Sequence, residues 1–290
     1  MALIDGSKIS TEILNNLKII IDEYNLKLKL TVILIGNNPA SLSYVKMKAI
    51  DAKAIGINVE IIHKEKEVDE IEIVNLIKQQ NKNKNVHAIL LQLPIPNHLN
   101  TTYLLNLIDP MKDVDGLTHI NLGKLFSNHI GLQPCTPTGC IHLLKRYSID
   151  LSGKKAVVIG RSNLVGRPMA SLLEKQDATV TLCHSKTKNL KDICLGADLI
   201  VSAVGSPNLI TEDMVTSNTI ILDVGINFIE GKITGDVDFK NVNKIVKFIS
   251  PVPGGVGPMT RAMLMKNIIY AYGLQNDPQI LLENIFMDPN

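Results

Sequence analysis

Short runs of Val, Ile and Leu recur along this chain, separated by segments whose apolar residues repeat with helical periodicity. The runs are continuously apolar, which is typical of strands buried on both faces of a parallel sheet. Parallel strands need crossover connections, usually helices, so this alternation predicts an α/β fold. The predicted strands cover residues 30–35, 59–63, 88–93, 156–159, 179–183, 199–204 and 220–224.

The chain is long enough for two domains, because it has 290 residues of which 45% are hydrophobic. The strand–helix pattern breaks around Pro134–Gly139 and restarts at Lys154 with a glycine-containing turn. We predict two domains, residues 1–137 and 138–266, with a C-terminal helix over residues 267–290 that returns to the first domain.

Charge and composition favour a small-molecule partner. The formal net charge is +2 and the basic residues are spread along the sequence, so nothing favours nucleic acid or an anionic membrane. No segment approaches the roughly 20 apolar residues that span a bilayer, and the start has no secretion-signal pattern, so we expect a cytoplasmic protein. The spacing of the four cysteines matches neither a zinc site nor a disulfide framework, so we expect reduced thiols and no metal.

A glycine-containing turn links the predicted strand at 156–159 to a helical pattern beginning at Met169. In such a turn, backbone amides and a helix N-terminus can face a pyrophosphate. Ser162 replaces the middle glycine of the usual dinucleotide motif, so an ordinary tight turn is an alternative. We predict cofactor contacts from Gly160, Arg161 and Ser162.

The residues after the predicted strand at 179–183 favour NADP over NAD. NAD enzymes usually carry Asp or Glu here, whereas this chain has Ser185 and Lys186. With Arg161, these residues would offer donors and positive charge to a 2′-phosphate, although the two basic residues also suit a solvated surface. Farther along, Ile226 follows a strand and is predicted to pack against the nicotinamide.

Polar residues in the first domain suggest a second site. Tyr44 and Lys48 are four residues apart on a predicted helix and therefore share a face, although lysines 46, 48 and 53 could all face solvent. Gln92 stands near the end of an apolar strand, where a buried amide needs a partner. Asp115 lies in a turn with Asp113, and for either acid helix capping or an Asx turn is an alternative.

A loop over residues 251–258 combines three prolines with three glycines. Glycines allow the backbone to approach a flat ligand closely, and prolines hold the loop in one shape. We predict that the backbone of Pro253, Gly254 and Gly255 lines a binding site.

Together these motifs resemble the bifunctional methylenetetrahydrofolate dehydrogenase/methenyltetrahydrofolate cyclohydrolase (FolD) family. The similarity runs in order over nearly the whole chain, and the ordered set is far more specific than any single motif. The segments that carry it are Tyr44-Val-Lys-Met-Lys48, Gln92-Leu-Pro, Lys112-Asp-Val-Asp-Gly116, Pro134-Cys-Thr-Pro, Gly160-Arg-Ser-x-x-Val-Gly-x-Pro168, Cys183-His-Ser-Lys-Thr187 and Pro251-Val-Pro-Gly-Gly-Val-Gly-Pro-Met-Thr260.

The resemblance implies an N-terminal α/β folate-binding catalytic domain, a Rossmann-like NADP-binding domain, a cleft between them, and a homodimer formed through the cofactor domain. It implies NADP-dependent oxidation of 5,10-methylenetetrahydrofolate, followed by hydrolysis of the methenyl product to 10-formyltetrahydrofolate.

The resemblance also implies roles for residues in the first domain. Lys48 would be the catalytic residue, and Tyr44 would stack on the aminobenzoyl group of the folate. Gln92 would hydrogen-bond with Lys48, and Asp115 would bind the pterin, whose pocket the backbone of residues 253–255 would line.

Two other interpretations remain open at this point. Another NADP oxidoreductase of this architecture, such as a hydroxy-acid dehydrogenase, would explain Arg161 and Ser185 but would leave Tyr44, Lys48 and Gln92 without a role. A catalytically silent folate- or nucleotide-binding module would keep the binding residues without turnover.

Overall fold

The computed structural model of the protein describes residues 2–229 and 231–276. The chain divides into two compact units: unit 1 is Met1–Thr11 with Thr136–Met263, and unit 2 is Glu12–Cys135 with Leu264–Asn290. The elements, in chain order, are β1 (Ala2–Leu3), α1 (Gly6–Glu23), β2 (Lys29–Ile35), α2 (Pro39–Ala54), β3 (Asn58–Lys64), α3 (Glu70–Lys82), β4 (Ala88–Leu91), α4 (Thr101–Leu107), α5 (His119–Phe126), α6 (Cys135–Arg146), β5 (Lys155–Ile159), α7 (Gly166–Glu174), β6 (Thr179–Cys183), α8 (Leu190–Leu195), β7 (Leu199–Ser202), β8 (Ile220–Asp223), β9 (Asn227–Ile229), β10 (Lys232–Thr234), α9 (Phe239–Val242), β11 (Phe248–Ile249) and α10 (Val256–Asn276).

The α/β fold class predicted from the apolar runs is confirmed: strands and helices alternate, and the sheets that carry the predicted runs are parallel. The predicted C-terminal helix reaches beyond the described part of the chain. Helix α10 begins at Val256, and residues 277–290 of that prediction lie outside the described residues.

Unit 2 contains a three-stranded parallel sheet in the order β3-β2-β4. β2 and β4 are almost entirely buried, which explains their unbroken apolar sequences, whereas β3 is an edge strand with mostly exposed or partly exposed residues. Ile73 and Ile77 of α3 pack with Ile89 and Leu91 of β4 in the apolar core of this unit. This packing fixes β4 and therefore the position of the residue that follows it.

Unit 1 contains a six-stranded parallel sheet in the order β1-β11-β8-β7-β5-β6. After β5 the chain adds β6 on one side and then returns to add β7 on the other, which creates a switch point between β5 and β7. In open α/β sheets, ligands bind at the carboxyl ends of strands beside such a point. The arrangement makes this unit Rossmann-like.

The first residues of the chain extend the sheet of unit 1. Ala2 and Leu3 form β1, which pairs in parallel with β11, and Ile4 N–H donates to the Ile249 carbonyl at 2.9 Å. The sequence does not predict this strand, because two residues are too few to show a periodic pattern.

Within residues 2–229 and 231–276, no helix is long and apolar enough to cross a membrane. In the same residues, no cluster of three or more His, Cys, Asp or Glu side chains is arranged to hold a metal ion.

A buried lysine stabilises the end of α3 in unit 2. The Lys112 ammonium donates hydrogen bonds to the carbonyls of Gln80, Asn81 and Asn83, at 3.2, 2.8 and 2.9 Å. Carbonyls at a helix C-terminus have no partner within the helix, and a cation there also interacts favourably with the helix dipole. Burial lowers the pKa of Lys112, while nearby Asp109 opposes that shift.

We predict that Lys112→Met lowers the free energy of unfolding by about 3 kcal/mol, because the carbonyls at the end of α3 lose a charged donor in a buried place. Urea denaturation measures the loss. The matched control is Lys84→Met at an exposed position, for which we expect a change within about 0.5 kcal/mol. Equal stabilities for the two variants would contradict the assigned role of Lys112.

Candidate functional site

Helix α2 presents Lys48 to the interior of unit 2. The helix begins after Asn38, whose side chain accepts a hydrogen bond from Ser41 N–H at 3.1 Å, with Pro39 in its first turn. Lys48 is only 5% exposed, whereas Lys46 and Lys53 on the same helix are exposed. The alternative that all three lysines face solvent therefore does not hold for Lys48.

Lys48 lies between an amide and an aromatic ring. Its Nζ donates to Gln92 Oε1 at 3.1 Å and stands 5.5 Å from the centroid of the Tyr44 ring. Gln92 follows β4 directly, and its backbone N–H donates to the Ile33 carbonyl at 2.9 Å. Its side-chain Nε2 donates to the Leu93 carbonyl at 2.6 Å, which leaves Oε1 directed to the ammonium. The structure thus brings Tyr44, Lys48 and Gln92 together.

The two acids of the predicted turn have different environments. Asp113 is 2% exposed, and its Oδ2 accepts from Thr118 N–H and Asn121 Nδ2, at 2.8 and 2.9 Å. Burial raises the pKa of Asp113, and these hydrogen bonds oppose that shift. Asp113 therefore organises the start of α5, whereas Asp115 is only partly buried.

A buried thiol, Cys135, which was not among the predicted site residues, lies near Asp115 and Lys48. Burial raises the pKa of Cys135 well above its usual range; the nearby Asp115 carboxylate raises it further, and the Lys48 ammonium acts in the opposite direction. Both charged groups are therefore close enough to influence the thiol. Cys135 Sγ also donates to the Val114 carbonyl at 3.3 Å.

The segment that carries Asp115 is fixed to the segment before α6. Asn267 of α10 donates to the carbonyls of Val114 and Gln133, at 2.8 and 2.9 Å. Gly116 has φ +69°, and a Cβ there would stand 2.5 Å from the Gln133 carbonyl carbon. Because Asn267 lies 153 residues beyond Val114, no local sequence pattern links them.

In unit 1, the predicted cofactor turn packs tightly against neighbouring backbone. Gly160 follows β5 with φ +115°, and a Cβ there would stand 2.5 Å from the Ala203 carbonyl oxygen. A Cβ on Gly166 would stand 1.9 Å from the Gly160 carbonyl oxygen. Both glycines are therefore required by close approach, despite the unusual spacing of the motif.

Ser162 shapes this turn from within. Its Oγ accepts from Val165 N–H at 3.1 Å, and its carbonyl accepts from Arg167 N–H at 3.0 Å, at the start of α7. Arg161 is exposed beside it. The turn thus joins the amino terminus of a helix to a guanidinium group, an arrangement that suits a phosphate.

Ser185 lies in an exposed turn after β6, the strand next to β5. His184 N–H donates to Thr187 Oγ1 at 2.9 Å, and Lys186 N–H donates to His184 Nδ1 at 3.1 Å. Residues 184–188 contain no carboxylate. Hydroxyl groups and positive charge without a carboxylate fit the 2′-phosphate of NADP.

Two buried carboxylates, Asp223 and Asp236, organise the loops after β7 and β8. Asp236 accepts from Ser202 Oγ at 3.0 Å and from the N–H groups of Val204, Gly205 and Ser206, at 2.9, 3.3 and 2.8 Å. It also accepts from Asn227 Nδ2 at 3.1 Å. Asp236 was not among the site residues predicted from the sequence.

Asp223 binds the backbone around Asp236. Its carboxylate accepts from the N–H groups of Gly225, Asp236 and Val237, at 3.1, 2.9 and 3.0 Å. Burial raises the pKa of Asp223 to about 6, and the backbone hydrogen bonds oppose that shift. Ile226, predicted to pack against the nicotinamide, lies in this loop and is 45% exposed.

The proline- and glycine-rich loop follows β11 in unit 1. Pro253 is exposed, Gly254 is partly exposed and Gly255 is buried. Ser7 N–H donates to the Gly254 carbonyl at 3.0 Å, and Gly255 N–H donates to the Pro251 carbonyl at 2.8 Å. A Cβ on Gly6 would stand 1.8 Å from the Gly255 carbonyl oxygen, so the start of α1 packs directly on this loop.

The predicted site residues form separate groups within the two units. Tyr44, Lys48, Gln92 and Asp115 belong to unit 2, and the remaining ones, Gly160, Arg161, Ser162, Ser185, Ile226, Pro253, Gly254 and Gly255, belong to unit 1.

Comparison with known proteins places both units in one family. Residues 4–115 match the family model for the catalytic domain of tetrahydrofolate dehydrogenase/cyclohydrolase, and residues 134–276 match the model for its NAD(P)-binding domain. The bifunctional protein FolD of a Nitratiruptor species is 49% identical over 276 residues, covering 93% of this chain and 98% of that protein.

Solved structures give the same result. The FolD crystal structure from Campylobacter jejuni has a TM-score of 0.91 at 46% identity, covering 94% of this chain and 99% of that one. The Trypanosoma brucei enzyme, solved with NADP and an inhibitor, has a TM-score of 0.90 at 31% identity, covering 94% of this chain and 97% of that one. The chain therefore belongs to the tetrahydrofolate dehydrogenase/cyclohydrolase family.

Proposed function

We infer that this chain is a bifunctional enzyme of one-carbon metabolism in which Lys48 carries the hydrolytic chemistry. The enzyme oxidises 5,10-methylenetetrahydrofolate with NADP and hydrolyses the methenyl product to 10-formyltetrahydrofolate. The buried contact between Lys48 and Gln92 is the observation that carries the residue assignment. The silent binding module considered from the sequence is not supported, because the matches are to bifunctional enzymes over nearly the whole chain.

Hydrolysis of the methenyl group requires proton transfer by a group that is held close to the reacting atoms. Water adds to the cationic methenyl carbon, and ring opening then needs a proton on the departing nitrogen. The hydrogen bond from Lys48 to Gln92 fixes the orientation of this largely buried lysine. Its amino group can therefore exchange protons with the attacking water and with the departing nitrogen. We assign this role to Lys48.

Other residues of unit 2 are proposed to bind the folate. The Tyr44 ring, beside Lys48, would stack on the aminobenzoyl group. Asp115, in a turn fixed by Asn267 and Gly116, would accept hydrogen bonds from the pterin. We also assign the backbone of Pro253, Gly254 and Gly255 to the pterin pocket.

We further propose that the catalytic domain comprises residues 1–137 with 267–290, and that the NADP-binding domain comprises residues 138–266.

The cofactor residues belong to unit 1. Bound NADP would supply the hydride acceptor for the methylene carbon. Gly160 and Ser162 would shape the turn for its pyrophosphate, while Arg161 and Ser185 would supply donors to its 2′-phosphate. Ile226 would pack against the nicotinamide.

We predict that Lys48→Ala abolishes hydrolysis of supplied methenyltetrahydrofolate and leaves NADP binding intact, because proton transfer loses its group while unit 1 is unchanged. Loss of methenyl absorbance measures the hydrolysis, and titration with NADP measures the binding. General acid–base groups accelerate a reaction by about 100- to 10,000-fold, which sets the size of the expected loss of hydrolysis rate.

Lys46→Ala is the matched control, since it removes an exposed lysine from the same helix. It should hydrolyse at the wild-type rate. If Lys48→Ala hydrolyses the substrate as well as Lys46→Ala does, the assignment of Lys48 is wrong.

We predict that Arg161→Ala weakens NADP binding about tenfold or more and leaves NAD binding nearly unchanged, because only NADP carries the 2′-phosphate. Dissociation constants for both cofactors measure the effect. Lys154→Ala, before β5 and so at the amino end of that strand, is the control and should change neither constant. An equal loss for NADP and NAD would assign Arg161 to the pyrophosphate instead.

We further propose a cytoplasmic homodimer formed through unit 1. In the antiparallel pair of β9 and β10, Phe228 lies opposite Ile233, and these two residues are 60% and 44% exposed. An exposed apolar patch of this kind suits an interface. We expect wild type to sediment as a dimer and Phe228→Asp as a monomer, whereas Ile130→Asp, an equivalent change at an exposed residue of unit 2, should remain dimeric.

A further inference from the structure

We propose that Asp236 is a positioning residue for hydride transfer, because its carboxylate holds together the loops over which the nicotinamide must lie. The proposal rests on the NADP-dependent function above and concerns a residue outside the cofactor contacts assigned there. Asp236 lies between β10 and α9, and its side chain is fully buried.

The first support is the number of donors that converge on one carboxylate. Five groups donate to it: the Ser202 hydroxyl, three consecutive backbone N–H groups at residues 204–206, and the Asn227 amide. Consecutive N–H groups of this kind form a concave anion site. Here the anion is part of the chain, so the loop after β7 is fixed before any ligand arrives.

The second support is that the two acids are interlocked. Asp223 accepts from the backbone N–H of Asp236, while Asp236 binds Asn227, four residues after Asp223. A Cβ on Gly225 would stand 2.1 Å from the Asp236 carboxyl group, and a Cβ on Gly235 would stand 1.9 Å from an Asp223 oxygen. The loops after β7, β8 and β10 therefore form one rigid assembly, which we call the carboxylate brace (Asp223 and Asp236 with residues 202–206, 225–227 and 235–237).

The third support is the strand order, which places the brace where the reactive ring belongs. From the edge inwards, the order is β6, β5, β7, β8. The residues proposed for the adenosine phosphate follow β6, and the pyrophosphate turn follows β5. Because adjacent strands are about 4.8 Å apart, a dinucleotide that began at β6 and crossed the β5 turn would reach the ends of β7 and β8, which the brace holds.

The direction of the effect follows from these contacts. Hydride transfer depends on the distance and alignment of two carbons, and small displacements are costly. The brace does not hold the Arg161 or Ser185 side chains, so the adenosine end should keep its affinity. Loosening the brace should therefore lower kcat of the dehydrogenase more than it changes KM for NADP.

We propose to test Asp236→Asn in the full-length enzyme. The amide has nearly the same shape as the carboxylate, but its NH₂ group would face N–H and O–H groups that now donate to Asp236. We expect kcat of the dehydrogenase to fall about ten- to a hundredfold, with KM for NADP within about threefold. Hydrolysis of supplied methenyltetrahydrofolate, which needs no cofactor, should stay within about twofold. Asp238→Asn, two residues away and paired with Asn241, should leave both activities unchanged.

Ser202→Ala is a milder test of the role of Asp236, because it removes one hydrogen-bond donor to the carboxylate and adds none. We expect a fall of about threefold in dehydrogenase kcat alone. This variant decides the proposal if Asp236→Asn does not fold. Parallel loss of both activities, an unchanged dehydrogenase kcat, or a rise in KM for NADP without a fall in kcat would each overturn the proposal.

A wrong assignment of the cofactor residues would give a different result. Arg161→Ala would then bind NADP with the wild-type dissociation constant, whatever the activities of the Asp236 variants.

Discussion

Parallel strand pairing determines where chemistry can occur in this protein. Because all strands of a parallel sheet end at the same edge, residues far apart in sequence meet there. In unit 1, the turn at Gly160 and residues Ser185, Ser202 and Asp223 come from four different strand ends. In unit 2, Gln92 follows the strand β4 and meets a lysine 44 residues earlier. The positions of the proposed site residues are therefore set by the sheet order as well as by local motifs.

Several polar groups that meet at these strand ends are buried, and each of these depends on named partners. Lys48 has the Gln92 oxygen, and Asp236 has five donors. A buried charge without partners would cost several kcal/mol, so these groups hold their surroundings in one arrangement. The same dependence explains the glycines, because a carboxylate that receives several backbone donors leaves no room for a Cβ at residues 225 and 235. Rigidity at the site and intolerance to substitution thus have one cause.

The sequence predicted the features that repeat or that lie close together along the chain. Apolar runs identified the strands from β2 to β8, and the turn from Gly160 to Gly166 was found despite its unusual spacing, because its context between strand and helix was correct. Periodicity could not decide whether Lys48 faces solvent, since that depends on the burial of α2 against the rest of unit 2.

Residues that act through distant partners could not be found in this way. Asp236 lies 34 residues from Ser202, and Asn267 lies 153 residues from Val114. Their roles depend on strand order and loop closure, which a single sequence does not encode locally. The two acids in Gly235-Asp-Val-Asp238 were the available signal, yet an acidic turn also suits helix capping. Asp238 does precede α9, but its side chain makes no capping hydrogen bond. Distinguishing the two acids requires knowing that one is fully buried and the other is not. Burial, which is set by the whole unit, therefore decides which residue of a local motif can hold the surrounding loops together.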